Sequence, residues 1–464
     1  SIEPPPLFVN NMPILVIQLD YALRLRTKLA KNRHFIFYNM QNDKRRHLCY
    51  NRGNLENKAR TTRVLCTGRV RSAFFFFSGK DGFTMNEPKV DFLYLSEPDM
   101  IQAGVRDMKG CVDAIEEMFR LMKVGDYRMG GANGNSHGCM VSFPEHSPFP
   151  NMPTDGPDRR FMAMPAYLGG KFDMAGVKWY GSNVGNRKKG LPRSILMLTL
   201  NDKDTGAPVA YMSANILSAY RTGAVPGVGF KHFAREDAKV VGIIGPGVMS
   251  KTAFAAAMAV RPGIDTLKIK GSSLKSPSAQ KFADFVRERF PQVTNISIVE
   301  TEEEAVRDAD IVEIATSSPT GDISTYPYIA EEWIKPGAII ACPAAARFDD
   351  DFLINRARIV TDNIKLYEAW AEEMPYPAYE TIPIPAVHAM DLIHDGKLTR
   401  GDIDDLGDVL VGNIPTHRKK DEIIIYSVGG MPTEDVAWGT VVYRNALKKG
   451  IGTKLNLWDH PALA

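Results

Sequence analysis

The stretch Val240-Val-Gly-Ile-Ile-Gly245-Pro-Gly247-Val-Met-Ser250 decides the fold of this chain of 464 residues. A short apolar run typical of a buried strand leads into a glycine turn, and an alanine-rich segment follows at 253–257. Glycine at 245 permits a tight turn, and glycine at 247 lets backbone amides approach a bound group. The start of the next helix adds free N–H donors and the positive end of its dipole. The stretch therefore predicts a site for the diphosphate of a dinucleotide.

The residues after this stretch alternate between short apolar strands and helices. We predict strands at 266–270, 296–299, 311–315, 338–342 and 359–361, and helices at 249–260, 277–290 and 302–307. Such alternation is typical of a parallel, doubly wound sheet, the Rossmann fold. We therefore assign the chain to the α/β class, with a Rossmann domain over 235–425. Its expected phosphate-binding residues are Gly245, Pro246, Gly247, Val248 and Met249.

The end of the second predicted strand bears on which dinucleotide binds. Enzymes that use NAD usually carry an Asp or Glu there, which binds the ribose 2′-hydroxyl. Here the strand ends Lys270-Gly-Ser272-Ser273-Leu-Lys275, whose hydroxyls and ammonium groups suit a 2′-phosphate. A solvated basic loop is the alternative, so the pattern favours NADP and leaves NAD open.

Two further hydroxyl residues, Thr316 and Ser317, follow the strand predicted at 311–315. The carboxyl ends of parallel strands face the ligand crevice of an open sheet. We expect these residues to line the cofactor ribose, and a simple cap of the next turn is the alternative.

Composition argues against several classes of protein. The net charge is only +3, and residues 1–84 hold 15 Lys and Arg against 5 Asp and Glu, so the remainder is acidic. An acidic body argues against nucleic acid as the main partner. The five scattered cysteines form no CxxC pair, which indicates reduced thiols in a cytoplasmic protein and predicts neither disulfides nor a metal site. No apolar run is long enough to predict a membrane helix.

Residues 1–84 form a basic leader without sustained helical or strand periodicity. A targeting segment and a polyanion-binding arm are two interpretations of this leader. We favour a third, a non-native or disordered extension before ordered patterning begins near Met85. From there to residue 234, a helix over 99–122 and strands near 160–167, 176–180, 194–200 and 208–212 predict an α+β domain.

Two basic residues of this region stand inside apolar stretches. Lys178 lies in Ala-Gly-Val-Lys-Trp-Tyr, a predicted strand, and Arg221 lies in Leu-Ser-Ala-Tyr-Arg-Thr-Gly-Ala, near a predicted helix start. A charge in an apolar setting is costly unless it is paired. An anionic substrate would pair these cations, and so would an internal salt bridge, so both interpretations stay open.

Several separated motifs resemble, in the correct order, those of the ornithine cyclodeaminase and mu-crystallin family. They are Gly176-Val-Lys-Trp-Tyr180, Asn183-Val-Gly-Asn186, Gly190-Leu-Pro192, Asp204-Thr-Gly206, Arg221-Thr-Gly-Ala224, the turn at Gly245, Asp402–Gly412, and Tyr426-Ser-Val-Gly429 followed by Glu434-Asp435. The similarity runs from about Met85 to the C-terminus and is greatest to a branch whose members carry the label of a tyramine oxidase component.

The resemblance implies a homodimer that binds NAD or NADP and a small amino or imino acid. Its substrate and dimerisation domain is residues 85–234, completed by residues 426–464. By position, Lys178, Arg221 and Arg128 match basic residues that hold the substrate carboxylate. Ser427, Val428 and Gly429 match the segment that passes the nicotinamide.

Two departures from the family pattern concern the chemistry. Ornithine cyclodeaminases carry an acidic residue near Met162 and a catalytic Asp in the loop that here reads Cys342-Pro-Ala-Ala-Ala-Arg347. Asp349–Asp351 follow a few residues later and are the candidates to replace this Asp. Loss of a general base typically costs ~10²–10⁴-fold in rate, which argues against ornithine cyclisation. His137, in Asn-Ser-His-Gly, is either a proton donor or a simple loop histidine.

The function we expect is an NAD(P)-dependent oxidoreductase. Hydride would pass between the nicotinamide and the α-carbon of an amino or imino acid, while basic residues hold the carboxylate. A deaminating lyase of the cyclodeaminase type is one alternative. A non-catalytic NADP-binding protein or accessory subunit is the other.

Overall fold

The amino-terminal part of the described chain forms a mixed sheet. The protein is represented by a computed structural model, which describes residues 88–131, 133–317 and 321–463. In these residues the first sheet contains β1 (Val90–Leu95), β2 (Tyr127–Met129), β3 (Cys139–Val141), β4 (Arg160–Leu168), β5 (Met174–Ser182), β6 (Ser194–Asn201), β7 (Pro208–Ser213) and the last strand, β16 (Thr453–Trp458). The order is β16-β1-β7-β6-β5-β4-β2, with β3 also paired to β4. The predictions for residues 1–84 lie outside the described residues.

The second sheet is the parallel one that the alternating pattern predicts. Its strands are β8 (Val240–Ile244), β9 (Thr266–Lys270), β10 (Asn295–Val299), β11 (Ile311–Ile314), β12 (Ile339–Cys342), β13 (Ala357–Thr361), β14 (Ile403–Asp405) and β15 (Ile423–Ser427). Their order is β10-β9-β8-β11-β12-β15-β13-β14, and neighbouring strands run parallel. The α/β class and the Rossmann-type sheet are therefore confirmed.

The strand order places the ligand-binding edge of the second sheet. In the sheet, β9 and β10 lie on one side of β8, and β11 and β12 lie on the other. Ligands of open parallel sheets bind where the order reverses, outside the carboxyl ends of the strands. Gly245 follows β8 and Thr316 lies just beyond β11, so both residues lie at this edge.

Two of the helix predictions made from the sequence are corrected by the structure, which also contains helices that were not predicted. The described helices are α1 (Glu97–Ala103), α2 (Met108–Val124), α3 (Asn215–Phe233), α4 (Val248–Val260), α5 (Pro277–Arg289), α6 (Glu302–Val306), α7 (Asp350–Asn355), α8 (Ile364–Glu373), α9 (Pro385–His394), α10 (Leu406–Leu410) and α11 (Pro432–Lys449). The helix predicted over 99–122 is broken, because Gly104 takes a left-handed φ of 97° and the Asp107 side chain caps α2. Arg221 lies well inside α3 rather than at its start. None of the described helices is both long and apolar enough to cross a bilayer.

Alternation along β4 and β5 gives the first sheet a buried and an exposed face. Apart from Arg160 at the start of β4, the even-numbered residues of both strands are buried, since successive side chains point to opposite faces. Helix α11 packs against these strands. Lys178 belongs to the buried set, so the fold places its ammonium group in the interior.

Helices α3 and α4 pack closely through small residues. A Cβ on Gly223 would lie 2.4 Å from the Thr252 carbonyl carbon, and one on Gly227 would lie 2.6 Å from the Ala256 Cβ. A side chain at either position would force the helices apart. The contact joins the helix that carries Arg221 to the helix that follows the glycine turn.

The described residues from Lys89 onward form one compact unit. The two sheets are distinct within it, and α11 and β16 return to the first sheet after β15 ends at Ser427. The division into domains at residues 234 and 425 stays a prediction about which parts fold independently.

Glu313 is a buried carboxyl group in the middle of the parallel sheet. It stands on β11, opposite Ile243 and Ala341 of the adjacent strands. Neither of its carboxyl oxygens has a hydrogen-bond partner among the described residues. Burial raises the pKa of Glu313 well above its ordinary value, so the folded protein holds this group protonated.

We expect this titration to make the protein less stable as the pH rises. The folded state keeps a proton that the unfolded state releases near the ordinary Glu pKa of 4.5, so the free energy of unfolding falls above that pH. One group contributes at most ~1.4 kcal/mol per pH unit. Urea unfolding from pH 5 to pH 8 measures the slope, which Glu313→Gln reduces and the exposed-site control Glu332→Gln does not. Equal slopes in wild type and E313Q would contradict this expectation.

Candidate active site

The turn between β8 and α4 has the geometry of a phosphate cradle. Gly245 has a φ of 89°, and a Cβ there would lie 2.7 Å from the Ala315 carbonyl oxygen. A Cβ on Gly247 would meet nothing within 4 Å. No side chain of the described residues caps α4, so its first N–H groups are free to bind an anion. These observations fit a dinucleotide diphosphate, with Pro246 buried and Val248 and Met249 exposed beside it.

The residues expected around the cofactor ribose lie at the same edge of the sheet. The backbone nitrogen of Thr316 would be 2.9 Å from a Cβ on Gly245, and Ser317 is exposed beyond it. Ser272 and Ser273 are exposed after β9. All four residues are therefore placed where a nucleotide on this edge could reach them.

The basic residues after β9 are not equivalent. Lys270 Nζ donates to the Gly271 carbonyl oxygen at 2.7 Å and lies 3.5 Å from a Glu302 carboxylate oxygen. Lys275 is exposed and makes no hydrogen bond or ion pair within the described residues. Lys275 is therefore the cation left available for a ligand phosphate.

Lys178 and Arg221 lie together in a buried cluster of four charges. Lys178 Nζ donates to Asp435 Oδ2 at 2.7 Å. Arg221 Nε donates to Asp435 Oδ1 at 3.0 Å, and Arg221 Nη1 donates to Glu434 Oε2 at 2.5 Å. The structure thus shows the internal salt bridges that the sequence left as one of two interpretations. The sequence indicated Glu434 and Asp435 only as part of a motif, because Asp435 lies 257 residues from Lys178 and Glu434 lies 213 residues from Arg221, the cations that they pair with.

Burial controls the protonation of this cluster. Burial, and then the nearby Arg221 charge, lower the pKa of Lys178 to about 8, despite its contact with Asp435. Burial raises the pKa of Glu434 to about 7, although the Arg221 guanidinium opposes that shift. The carboxylates of Asp435 and Glu434 raise the pKa of Arg221 above its ordinary value, against the effect of burial. Arg221 is therefore always charged, while Lys178 and Glu434 titrate near neutral pH.

Donors remain within the cluster for an incoming carboxylate. The Lys178 ammonium has three protons, and the structure gives it two partners, Asp435 and the Ser218 hydroxyl at 3.5 Å. Arg221 has five N–H donors, and three of its nitrogens make one contact each. The internal pairs therefore leave part of both cations' hydrogen-bonding capacity unused.

Arg128 does not join this cluster. It is opposite Tyr167 on β4, whereas Lys178 is opposite Met164. Positions three residues apart on a strand point to opposite faces, so Arg128 lies on the other side of the sheet from Lys178. Its Nη1 donates to the carbonyl oxygens of Tyr127 and Gly125 at 2.5 and 3.2 Å. Arg128 matches a third carboxylate-binding residue in sequence, but the strand register places it away from Lys178 and Arg221.

The segment after β15 runs beside the charge cluster. A Cβ on Gly430 would lie 3.1 Å from Arg221 Nη1 and 4.0 Å from His137 Cε1. Gly429 N donates to Asp362 Oδ2 at 2.7 Å, and a Cβ on Gly429 would be 2.4 Å from Leu366 Cδ2. The backbone of this segment is thus tightly held close to Arg221.

The predicted nicotinamide residues differ in what they can reach. Ser427 is fully buried, and its hydroxyl accepts a hydrogen bond from Ala386 N at the start of α9. Val428 is also buried, and its backbone nitrogen donates to the Cys342 carbonyl oxygen at 3.3 Å. The Ser427 hydroxyl is therefore bonded to the start of α9. The backbone at Gly429 and Gly430 is the part of this segment that lies nearest the charge cluster.

Asp362 is a buried residue of this site that the sequence analysis missed. Besides Gly429 N, it accepts hydrogen bonds from the Tyr367 hydroxyl at 2.9 Å and Asn363 N at 2.8 Å. Burial raises the pKa of Asp362 to about 6, while these hydrogen bonds oppose the shift. An Asp directly after an apolar strand was the only signal available in the sequence.

The alanine loop after β12 carries no carboxylate, as its sequence requires. Ala345 and Ala346 are both buried, and the Tyr379 hydroxyl donates to the Ala346 carbonyl oxygen at 2.6 Å. The following aspartates are engaged elsewhere, with Asp350 bonded to His388 and Asp351 to Arg356. The structure therefore does not bring a substitute for the missing catalytic Asp into this loop.

Comparison with known proteins places the chain among nicotinamide enzymes. Alanine dehydrogenase of Archaeoglobus fulgidus is 29% identical over 356 residues, which cover 76% of this chain and 94% of that protein. N-((2S)-2-amino-2-carboxyethyl)-L-glutamate dehydrogenase of Staphylococcus aureus is 27% identical over 370 residues, with 79% and 99% covered.

Solved structures agree with this relationship. An archaeal alanine dehydrogenase dimer with bound NAD matches with a TM-score of 0.62 and 25% identity, over 79% of this chain and 100% of that one. The Δ1-pyrroline-2-carboxylate reductase of Thermococcus litoralis, in complex with NADH and L-proline, matches with a TM-score of 0.61 and 25% identity, over 78% and 99%. The profile of the ornithine cyclodeaminase/mu-crystallin family matches residues 105–450. The chain belongs to the ornithine cyclodeaminase/mu-crystallin family.

Proposed function

We propose that this protein is an NAD(P)-dependent oxidoreductase that acts at the α-carbon of a small amino or imino acid. The observation that carries the proposal is the pair of buried cations, Lys178 and Arg221, with unused donors beside the backbone at Gly430. The relatives support it, because they include dehydrogenases of amino acids and a reductase solved with NADH and L-proline.

The substrate carboxylate would bind to the spare donors of Lys178 and Arg221. With Glu434 and Asp435 ionised, the four charges balance, so an added carboxylate needs one more positive charge nearby. Protonation of Glu434, whose pKa is about 7, would leave the cluster with that charge. Guanidinium and ammonium donors bind carboxylates through charge-assisted hydrogen bonds.

The nucleotide would lie along the carboxyl edge of the parallel sheet. Gly245, Gly247 and the free N–H groups of α4 would hold the diphosphate. When bound, the nicotinamide supplies or accepts the hydride. Asp362 keeps the backbone at Gly429 in place, and the next residue, Gly430, lies beside Arg221.

The alternatives receive less support. A deaminating lyase needs a group that handles protons in the loop at 342–347, and the described loop offers buried alanines there. A binding protein without activity would keep the cradle at Gly245 and need no carboxylate donors beside it. The buried cluster with unused donors therefore favours the oxidoreductase.

Replacement of Lys178 tests the proposal. Wild type is expected to oxidise NADPH or NADH with α-keto acids plus amines, or to reduce the oxidised cofactors with α-amino acids, as followed by absorbance of the reduced nicotinamide. Lys178→Met removes one carboxylate donor, so kcat/KM should fall by about 10²-fold or more, while cofactor affinity changes little. Lys171→Met, at an exposed site before β5, is the matched control.

A variant that fails to fold is separated from one that fails to bind substrate. Lys178→Met leaves Asp435 buried without one partner, so the double variant with Asp435→Asn restores the balance of charge. Tight NADPH binding without turnover of any substrate by wild type would support the binding protein. Equal loss of cofactor affinity and turnover in both variants would mean that Lys178 is structural.

NADP is the cofactor that the loop after β9 favours. It carries no carboxylate at residues 270–275, and Lys275 is available to a 2′-phosphate. We expect Lys275→Ala to weaken NADPH binding by about tenfold at low salt, the value of one charge-assisted contact, and to leave NADH binding unchanged. Quenching of tryptophan fluorescence measures both affinities, with Lys281→Ala on α5 as control. Equal effects on the two cofactors would exclude the 2′-phosphate contact.

A homodimer formed through the exposed face of the first sheet is part of the proposal. Large apolar side chains stand on this face of the strands, where Phe161 and Trp179 stack with their ring centroids 5.8 Å apart. Others are Tyr94, Ile195, Leu455 and Leu457. An exposed apolar face of this kind is typical of a protein interface.

Charge on this face should separate the two protomers. We expect light scattering to give wild type a mass near twice that of one chain, and Trp179→Lys to lower it toward a single chain, because a buried unpaired charge opposes association. Val124→Lys, exposed at the end of α2, should stay dimeric. A monomeric wild type would refute the dimer without affecting the proposed chemistry.

We also propose a cytoplasmic location. Among the described residues, Cys111, Cys139 and Cys342 are free thiols. Reduced thiols are typical of proteins in reducing compartments.

A further inference from the structure

The loop at 130–138 is held against both the first sheet and helix α8. A Cβ on Gly138 would lie 2.7 Å from the Ala163 carbonyl oxygen and 3.1 Å from Met162 Sδ, so the loop touches β4 directly. Asn133 Nδ2 donates to Glu372 Oε2 at 3.2 Å, and the Tyr127 hydroxyl donates to Asn135 Oδ1 at 2.5 Å. The described part of this loop is therefore fixed by contacts at both of its ends.

These contacts place His137 at the charge cluster in a defined protonation state. His137 Nδ1 lies 2.8 Å from the Gly430 carbonyl oxygen, and since a carbonyl only accepts, Nδ1 carries the proton. The neutral ring then has a lone pair on Nε2, which has no hydrogen-bond partner among the described residues. The ring lies 5.8 Å from that of Trp370 and beside the space between Gly430 and Arg221 Nη1.

We propose that His137 Nε2 is the general base that takes the ammonium proton from the bound α-amino acid. This inference rests on the proposed function. In the oxidative direction, the proton passes from the substrate nitrogen to Nε2, the freed lone pair forms the C=N bond, and the α-hydrogen leaves as hydride to the oxidised nicotinamide. The products are the iminium ion, the reduced nicotinamide and protonated His137, which returns the proton in the reductive direction.

The surrounding charges keep the imidazole of His137 in its neutral form, with the lone pair available. Burial, and then the Lys178 charge, lower the pKa of His137 to about 4, while the hydrogen bond to Gly430 opposes the shift. Arg221 also favours the neutral ring, and Asp435 opposes it. Two further charged groups lie near the cluster: Glu434, next to Asp435 on α11, and Asp362, whose charge raises the pKa of Glu434. The ring is therefore neutral at physiological pH. Because Lys178 and Arg221 disfavour a charged ring, His137 readily releases the proton that it takes from the substrate.

Position supports His137 over other acceptors. The carboxylates of Glu434 and Asp435 are engaged with Arg221 and Lys178, and the loop at 342–347 offers none. At neutral pH Lys178 is mostly protonated and Arg221 is charged, so His137 Nε2 is the basic nitrogen of the cluster with a free lone pair. It is also the single imidazole at that cluster within the described residues.

His137→Asn separates proton transfer from positioning. Asparagine keeps a donor for the Gly430 carbonyl oxygen but has no basic nitrogen, so kcat for amino acid oxidation should fall by ~10²–10⁴-fold while NADPH affinity stays unchanged. His137→Gly should recover activity when imidazole is added, which a structural defect would not. His146→Asn, in the exposed loop that follows, is the matched control.

The pH dependence gives a second test. Wild-type kcat/KM for oxidation should rise with pH through about 4 and fall above about 7, where Glu434 loses its proton and then, near 8, Lys178 loses its charge. NMR of protein labelled at histidine should show the Nδ1–H tautomer of His137 at pH 7 and its titration near pH 4. The His137 signal is assigned by its loss in H137N.

The outcomes separate the two proposals. An Nε2–H tautomer, or full activity in H137N, would overturn the role of His137 and leave the oxidoreductase intact. Failure of wild type to oxidise any α-amino acid would instead remove the proposed function.

Discussion

Lys178, Arg221, Glu434 and Asp435 form three short ion pairs in a part of the protein that excludes water. Strand β5, helix α3 and helix α11 each bring at least one of these charges, so the three elements must meet for any of the charges to be compensated. Loss of a single partner from a buried pair typically costs about 3–5 kcal/mol, because the other charge stays buried without compensation. The cluster therefore couples the formation of the site to the folding of the region around it.

The same cluster connects the two sheets. Helix α3 carries Arg221 and packs through Gly223 and Gly227 against α4, whose start forms the phosphate cradle. The turn at Gly430 lies beside Arg221 and accepts the hydrogen bond of His137. Donors for a carboxylate, a lone pair for a proton and a cradle for a diphosphate are thereby held by rigid elements, which limits the reorganisation that a reaction would require.

Much of the fold could be predicted because it follows from local sequence patterns. The strand at 266–270 and the helix that starts at Pro277 follow from apolar periodicity and capping, which involve residues close in sequence. The break at Gly104 was missed since apolar spacing continues across it, and a left-handed glycine is visible only in the backbone. The strands β14 and β15 were not predicted. β14 has only three residues, two of them aspartates, and so carries little apolar signal, whereas β15 is an apolar run of the same length as the predicted β9.

The sequence by itself determined the glycine cradle, the parallel sheet, the family, and the presence of two cations in apolar settings. Only the tertiary structure decided what those cations contact, because Asp435 lies 257 residues from Lys178 in the chain. It also decided which side of the sheet Arg128 occupies, since that depends on the register of β2 against β4. The partners of Ser427, Asp362 and His137 were likewise settled by packing, because hydrogen bonds between distant segments leave no periodic signal in a sequence.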